Sequence, residues 1–288
     1  MSIAKLFSQK NTILSFEVFP PKRESPVDTV YRTLEELTDL SPDFISVTYG
    51  AGGDGGQNTC QIASLIKNRY HIRPLAHLTC AGYSRQEVAD VVTRLLCEGV
   101  EDILALRGDL SPERPPKTDF TYAADLIRYL KEENSGLGVS AACYPEGHVE
   151  CSDLVTDILN LRKKVDAGAE HLISQLFFDN SQFYAFLERA RIAGINVPIQ
   201  AGIMPVVNKK QIERMVSLCG ASLPPKFTKM MSRYEGHPEA LRDAGIAYAV
   251  NQIVDLISNG VDGIHLYTMN NPLVARRIAE SISSLVNV

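Results

Sequence analysis

The feature that most constrains this chain is a repeated alternation of an apolar run with a helical pattern, joined by glycine. Four glycines each close a predicted helix and precede an apolar run by a few residues: Gly99, Gly168, Gly194 and Gly260. Glycine suits the left-handed conformation that commonly ends a helix. Continuous apolar runs are typical of parallel strands that are buried on both faces. The chain is therefore predicted to be an α/β protein with a parallel sheet.

Eight strand-helix units follow one another through the sequence. The predicted strands are residues 13–19, 44–49, 74–80, 103–106, 138–144, 171–178, 198–204 and 263–268. Ser84 and Glu87 predict a capping box for the third helix, and Asn180 is predicted to cap the sixth. Residues 221–237 are predicted to be a short insertion before a long helix over 240–257 and the last strand. Eight units close a barrel, so we predict a single (β/α)8 TIM barrel, with residues 1–288 as one catalytic domain.

Composition agrees with a globular enzyme and argues against several other classes. The net charge of −5 argues against a nucleic-acid partner. No apolar run reaches transmembrane length, and residues 1–10 lack the features of a signal peptide. The six cysteines, at positions 60, 80, 97, 143, 151 and 219, show no zinc-type spacing. We therefore expect a cytoplasmic protein with reduced, mostly buried thiols and no membrane association.

A glycine-rich segment, residues 50–56, matches the G-x-G-x-x-G pattern of dinucleotide-binding folds. That fold also needs an acidic residue about 20 residues further on to bind the ribose. No Asp or Glu occurs between Asp54 and Glu87. The segment is therefore predicted to be a loop at the barrel mouth that could touch a ligand, and not a Rossmann fingerprint.

Polar side chains interrupt the apolar strands at or near their carboxyl ends. They are Glu17, Thr48, His77, Arg107, Asp109, Tyr144, Gln175 and Thr268. Each has a structural explanation when taken alone, such as a salt bridge between Arg107 and Asp109. The carboxyl ends of all strands meet at one mouth of a TIM barrel, where such enzymes place their active sites. The pattern as a whole predicts an enzyme.

Glu17 is the strongest catalytic candidate because it lies between apolar residues near the end of the first predicted strand. Desolvation disfavours the charged form of such a carboxylate, which suits a general acid. Two alternatives remain open from the residues alone. Glu17 could pair with a cation such as Arg107, or Glu17, His77 and Asp109 could bind a divalent metal in a metal-dependent lyase.

Nine segments, in order along the chain, resemble those of the methylenetetrahydrofolate reductase family. They are 15–21 (SFEVFPP), 47–51 (VTYGA), 76–80 (AHLTC), 104–109 (LALRGD), 144–148 (YPEGH), 164–168 (KVDAG), 175–179 (QLFFD), 202–205 (GIMP) and 265–268 (HLYT). The resemblance spans nearly the whole chain. It implies a cytoplasmic flavoprotein oxidoreductase of folate one-carbon metabolism and methionine biosynthesis, built as a TIM barrel and assembled as a homo-oligomer.

The resemblance also implies a ping-pong reaction and a set of site residues. NADH or NADPH reduces FAD, and the reduced flavin passes hydride to 5,10-methylenetetrahydrofolate, giving 5-methyltetrahydrofolate. Glu17 would protonate the departing ring nitrogen, and Asp109 would stabilise the cationic iminium that forms. The residues implied to surround FAD are Thr48, Tyr49, Ala51, His77, Arg107, Gly108, Asp109, Tyr122, Ala123, Tyr144, His148, Asp157, Asn160, Lys163 and Lys164. Gln175 and Gln211 are implied to contact the folate, with Gln175 also reaching the nicotinamide nucleotide, and no metal is expected.

Three positions depart from the family's pattern. Asn271 stands where an arginine that binds the folate is familiar, and Met215 stands where an aromatic residue can stack on the substrate. Lys163 replaces a frequent arginine, which changes the hydrogen-bonding geometry towards a pyrophosphate. Arg276 and Lys209 are the candidates for a replacement cation towards the folate.

Overall fold

In a computed structural model the chain forms a closed barrel of eight parallel strands in sequence order, surrounded by helices. The structure describes residues 2–21, 28–49, 56–109 and 117–287. The strands are β1 Ile13–Val18, β2 Phe44–Val47, β3 Arg73–Thr79, β4 Asp102–Leu106, β5 Gly138–Cys143, β6 His171–Ser174, β7 Ile199–Ile203 and β8 Gly263–Tyr267. The helices are α1 Asp28–Thr38, α2 Gln57–Asn68, α3 Arg85–Cys97, α4 Ala123–Glu133, α5 Leu154–Asp166, α6 Asn180–Ile192, α7 Lys209–Cys219, α8 Pro225–Tyr234, α9 Pro238–Ser258 and α10 Pro272–Val286. The predicted TIM barrel is confirmed.

Helix ends follow the local signals in the sequence with one exception. The four predicted C-terminal glycines all have left-handed backbones: Gly99 (φ 74°), Gly168 (φ 117°), Gly194 (φ 77°) and Gly260 (φ 74°). The Ser84 side chain accepts from the Glu87 N–H, and the Glu87 side chain accepts from the Ser84 N–H, so the predicted capping box is confirmed. The prediction that Asn180 caps α6 is wrong. Asp179 caps it, because its carboxylate accepts from the Ser181 N–H at 2.9 Å.

Strand β6 is shorter than the apolar run that predicted it. The run continues to Phe178, but the strand ends at Ser174. Beyond that point Phe178 stacks on Phe227 of α8, with ring centroids 4.4 Å apart. Leu176 joins the same apolar cluster. These side chains are therefore apolar because they pack against a helix, not because they extend the sheet.

The predicted insertion, residues 221–237, contains the helix α8. Pro225 occupies its first turn, where the N–H that proline lacks would have had no partner inside the helix. Phe227 and Met231 lie one turn apart and are both buried. Pro238 begins α9 in the same way, so that helix starts earlier than predicted. The insertion packs as a structured element on the barrel.

A short 3-10 helix, Ile3–Ser8, covers the amino end of the barrel. Ile3 is fully buried, and its N–H donates to the Asp102 carboxylate at 2.8 Å. The Phe7 ring lies 4.7 Å from the ring of His171, which is on β6. Because this helix covers the amino end, the carboxyl ends of the strands form the mouth.

Two further sequence expectations concern the membrane and the thiols. In the described ranges, none of the helices is both long and apolar enough to cross a membrane. All six cysteines are free; Cys60, Cys80 and Cys143 are buried and Cys97 is exposed. The expectation of mostly buried thiols therefore holds for three of the six.

Candidate active site

The mouth of the barrel is organised around Glu17, near the end of β1, which is only 6% exposed. Its Oε2 lies 3.5 Å from Nε2 of His77 on β3 and 3.5 Å from Nε2 of His265 on β8. At this distance the contacts are electrostatic rather than well-formed hydrogen bonds. Burial lowers the pKa of His77 to about 4, although the negative charge of Glu17 opposes that shift. His77 is therefore neutral at neutral pH, and Glu17 sits between two imidazoles.

The loop after β8 fixes the backbone that carries Glu17. Thr268 Oγ1 donates to the Glu17 carbonyl at 2.6 Å. Asn270 makes a reciprocal pair with Phe19, accepting from its N–H and donating to its carbonyl, each at 2.9 Å. Asn270 adopts a left-handed backbone (φ 54°), which asparagine tolerates better than most residues. The sequence singled out Thr268 but missed Asn270, because a Met-Asn-Asn-Pro run indicates only a turn.

Arg107, directly after β4, is bound by a carboxylate that the sequence did not suggest. Its guanidinium donates two hydrogen bonds to the Glu150 carboxylate, at 2.5 and 2.8 Å. This pairing raises the pKa of Arg107 and lowers the pKa of Glu150. The suggested salt bridge between Arg107 and Asp109 is therefore wrong, as is the pairing of Glu17 with Arg107. Asp109 is exposed at the mouth, where its charge contributes to raising the pKa of Arg107.

Gly108, between Arg107 and Asp109, has to be glycine for two reasons. Its φ of 80° lies in the left-handed region. A Cβ on Gly108 would also lie 2.8 Å from Cβ of Thr79 on β3. The backbone after β4 therefore passes unusually close to the neighbouring strand.

A buried charged and aromatic cluster lies where β5 meets α5. Lys164 Nζ donates to the Ala142 carbonyl at 2.9 Å and lies 5.4 Å from the centre of the Tyr144 ring. The His148 ring meets Tyr144 edge-on, with centroids 4.7 Å apart. Burial lowers the pKa of Lys164, raises the pKa of Asp157 and raises the pKa of Tyr144 to about 12. Lys164 and Asp157 lie near enough for each charge to counter the effect of burial on the other.

The other residues of the predicted cofactor set lie on α5, at the start of α4 or outside the described residues. Lys163 Nζ donates to Asn160 Oδ1 at 3.0 Å on the exposed surface of α5. Tyr122 precedes α4 and is 63% exposed, whereas Ala123 is buried. Ala51 belongs to the glycine-rich segment whose residues 50–55 lie outside the described residues.

Thr48 and Tyr49 follow β2 at the same mouth. The Thr48 N–H donates to the Val18 carbonyl at 3.1 Å, which continues the pairing of β1 with β2. The Tyr49 ring meets Tyr83 edge-on at 5.8 Å. Thr48 thus lies beside the strand that carries Glu17, and Tyr49 contacts the segment between β3 and α3.

The two residues predicted to contact the folate lie on the opposite side of the mouth. The Gln175 N–H donates to the Cys143 carbonyl at 2.7 Å, and its side-chain oxygen accepts from the Leu176 N–H at 2.9 Å. Gln211 lies in the first turn of α7, after β7, and is half-buried.

The departures from the family's pattern have local explanations. Asn271 caps α10, since its side chain accepts from the Val274 N–H at 3.2 Å. Arg276 lies on α10 and donates to the Glu36 carbonyl of α1, so its guanidinium is engaged between two outer helices. Lys209 begins α7 on the mouth side and pairs with Glu235 at 2.7 Å. Lys209 is therefore the better placed of the two candidate cations.

The structure does not favour the alternative metal site. Glu17 and His77 are close together, but Asp109 is exposed and is not in contact with them in the described structure. Within the described ranges, no group of three or more His, Cys, Asp or Glu side chains is arranged to hold a metal ion.

A closed parallel barrel with a buried carboxylate, two imidazoles and a basic, aromatic wall at its carboxyl end defines a TIM-barrel enzyme. A family model described as methylenetetrahydrofolate reductase matches residues 2–283. The chain belongs to this family, whose members are oxidoreductases of folate one-carbon metabolism.

Named relatives agree with that assignment, and a solved structure shares the fold. The chain is 35% identical to 5,10-methylenetetrahydrofolate reductase of Pectobacterium carotovorum over 281 residues, which cover 98% of this chain and 93% of the relative. It is 33% identical to methylenetetrahydrofolate reductase (NADH) 1 of Arabidopsis thaliana, covering 93% of this chain and 48% of the longer plant protein. A Clostridium thermocellum protein described as binding two copies of 5-methyl-5,6,7,8-tetrahydrofolic acid superposes with a TM-score of 0.67, covering 98% of this chain and 96% of that one. At 14% identity, that likeness shows the fold alone.

Proposed function

We propose that this chain reduces 5,10-methylenetetrahydrofolate to 5-methyltetrahydrofolate, with bound FAD as cofactor and NADH as reductant. The observation that carries the proposal is a family match over residues 2–283 in which a buried carboxylate, Glu17, lies at the barrel mouth. We propose NADH rather than NADPH as the reductant, since the name of the plant relative specifies NADH.

The groups along β4, β5 and α5 fit a planar, anionic cofactor such as FAD. Arg107 and Lys164 supply positive charge for phosphate groups, and Lys163 adds an exposed cation on the same helix. Tyr144 and His148 supply aromatic surface beside these cations. The set proposed to hold FAD is Thr48, Tyr49, Ala51, His77, Arg107, Gly108, Asp109, Tyr122, Ala123, Tyr144, His148, Asp157, Asn160, Lys163 and Lys164. When bound, FAD would supply the hydride transfer that no protein side chain can perform.

Glu17 is proposed to act as the general acid. Opening the five-membered ring of the substrate requires a proton on the nitrogen that leaves the methylene carbon. A carboxyl group that is 6% exposed loses much of the hydration that would favour its charged form, so it can hold a proton for delivery. His77, being neutral, does not compete as a proton donor.

Asp109, Gln175 and Gln211 are proposed to act on the substrate. The exposed carboxylate of Asp109 would stabilise the positive charge that develops on the folate when its ring opens. Gln175 and Gln211 would donate and accept hydrogen bonds with the pterin from the other side of the mouth.

An absorption experiment on the purified protein tests the proposal. We expect a visible flavin spectrum that bleaches when NADH is added without oxygen and recovers on adding methylenetetrahydrofolate. A colourless protein that does not take up FAD would contradict the cofactor. A flavin that bleaches and does not recover would contradict the substrate.

A further inference from the structure

We propose that His265 is a positioning residue for Glu17, itself held in place by a hydrogen-bonded chain that runs from Gln200 through Ser15. The proposal rests on the proposed role of Glu17 as the acid. All three supporting side chains, Ser15, Gln200 and His265, are completely buried in the barrel interior.

The chain begins at Gln200 on β7, whose orientation is set by the backbone. Its Nε2 lies 3.3 Å from the carbonyl of Ile13, 3.3 Å from the carbonyl of Ile264 and 3.2 Å from Ser15 Oγ. Backbone carbonyls only accept hydrogen bonds, so the amide nitrogen, and not the amide oxygen, must face them. Gln200 is therefore a donor anchored between β1 and β8.

Ser15 links Gln200 to His265. Ser15 Oγ lies 2.7 Å from His265 Nδ1 and 3.4 Å from Gln200 Oε1. The contact with Nδ1 is the shorter and therefore the stronger of the two. It fixes the orientation of the His265 ring.

The other ring nitrogen of His265, Nε2, lies beside Glu17. It is 3.5 Å from Glu17 Oε2 and makes a hydrogen-bond contact of 3.4 Å with Ser46 Oγ. Both imidazole contacts fall on Oε2 of Glu17, so Oε1 is the oxygen that they leave to face the substrate.

This arrangement has a defined consequence for the pH profile. In the described structure, the titratable groups around Glu17 are His77 from β3, and His265 and Tyr267 from β8. Burial and the charge of Glu17 raise the pKa of Tyr267 well above its usual value, so it stays neutral. The His265 ring, 3.5 Å from one oxygen of Glu17, is part of the environment in which that carboxyl group exchanges its proton. Removing the ring should therefore change the pH profile of the step that needs this proton.

The barrel contains a matched control. Ser140 Oγ lies 3.0 Å from Nδ1 of His171, and both side chains are buried in the barrel interior. This second Ser-His pair has the same chemistry but lies on β5 and β6, and the structure records no carboxylate contact for it. His171 also interacts with Gln200, so the independent control is Ser140→Ala, which removes a buried hydroxyl without touching Glu17 or Gln200.

Anaerobic stopped-flow absorbance across a range of pH tests the proposal on the FAD-loaded enzyme. In His265→Asn, we expect reduction by NADH to stay within about twofold of wild type and reoxidation by methylenetetrahydrofolate to slow about tenfold or more. The alkaline limb of the reoxidation profile should move along the pH axis, while KM for the folate changes little. His265→Gln, which can restore a polar group near the same point, should recover part of the rate. Ser15→Ala should move the limb in the same direction.

The controls separate a positioning role from a structural one. Ser140→Ala should leave the reoxidation rate and its pH limb near those of wild type. An unmoved limb in His265→Asn and Ser15→Ala, or the same slowing in the Ser140 control, would overturn the proposal. If His265→Asn does not fold, the alkaline limb of the reoxidation profile of Ser15→Ala tests the proposal by itself. A wild-type enzyme that is reduced by NADH but not reoxidised by the folate would overturn the proposed function itself, whatever the variants do.

Discussion

Arg107 illustrates how the partner of one residue can govern cofactor binding. The sequence placed Asp109 beside it, but the guanidinium reaches Glu150 from the loop after β5. Spacing along the chain cannot reveal a partner 43 residues away, because that contact depends on the barrel bringing β4 beside β5. A cofactor phosphate that binds Arg107 competes with the Glu150 carboxylate for its positive charge.

We predict that Glu150→Gln binds FAD about two- to fivefold more tightly than wild type, because the internal anion that competes for Arg107 is neutralised. The measurement is the dissociation constant from quenching of flavin fluorescence. Glu146→Gln is the matched control, since Glu146 lies in the same loop and binds the Ser222 N–H instead. Equal affinities for Glu150→Gln and Glu146→Gln would contradict the competition, as would the same gain with riboflavin, which has no phosphate.

Prediction at the residue scale succeeded where one side chain is conspicuous by itself. Glu17 stood out as a charge within an apolar strand, and the structure places it buried at the mouth. Ser15, Gln200 and His265 did not stand out, because single polar residues in buried strands are common. Their arrangement depends on contacts between residues that are far apart in the sequence, such as Ser15 and His265, which are separated by 250 positions.

At the scale of elements, the helix Ile3–Ser8 was missed although it covers the amino end of the barrel. A six-residue 3-10 helix is too short to show a helical period, so the sequence gives no signal for it. The last part of β6 was predicted wrongly for a related reason. An apolar run indicates burial, but it does not say whether a strand or a helix covers the residues.

We predict that Ile3→Ala lowers the free energy of unfolding by about 2 kcal/mol, because it leaves a cavity under the barrel at a fully buried position. Urea unfolding followed by circular dichroism measures the change. Ile192→Ala is the control, since Ile192 is 87% exposed and its loss should cost little. A stability of Ile3→Ala equal to that of the control would show that the helix does not support the barrel.

The whole fold was the most predictable level. Eight repeats of strand, helix and glycine leave few alternatives to a closed barrel, and the closure follows from their number. The polar interior of that barrel was less predictable. His77, His171 and His265 are all buried, and His77 and His171 give the whole molecule a response to acid.

We predict that the protein loses stability between about pH 6.5 and pH 4. Burial lowers the pKa of His77 to about 4 and that of His171 to about 3, from a usual value of 6.5. In that range the unfolded chain binds protons that the folded chain does not, so stability falls as pH falls. Each such histidine lowers the free energy of unfolding by about 1.4 kcal/mol for each pH unit that the pH falls within this range. Urea unfolding at several pH values gives the slope of the free energy of unfolding against pH. In His171→Gln this slope should be smaller by the equivalent of about one proton. An unchanged slope would contradict this.

The role of Glu17 is tested most directly by anaerobic stopped-flow absorbance of Glu17→Gln, followed at the flavin band. Glutamine keeps the shape of the side chain but has no acidic proton to donate. We predict that the variant binds FAD and is reduced by NADH at a rate close to that of wild type, while reoxidation by methylenetetrahydrofolate slows by about a hundredfold or more. Reoxidation at the wild-type rate would show that Glu17 is not the acid.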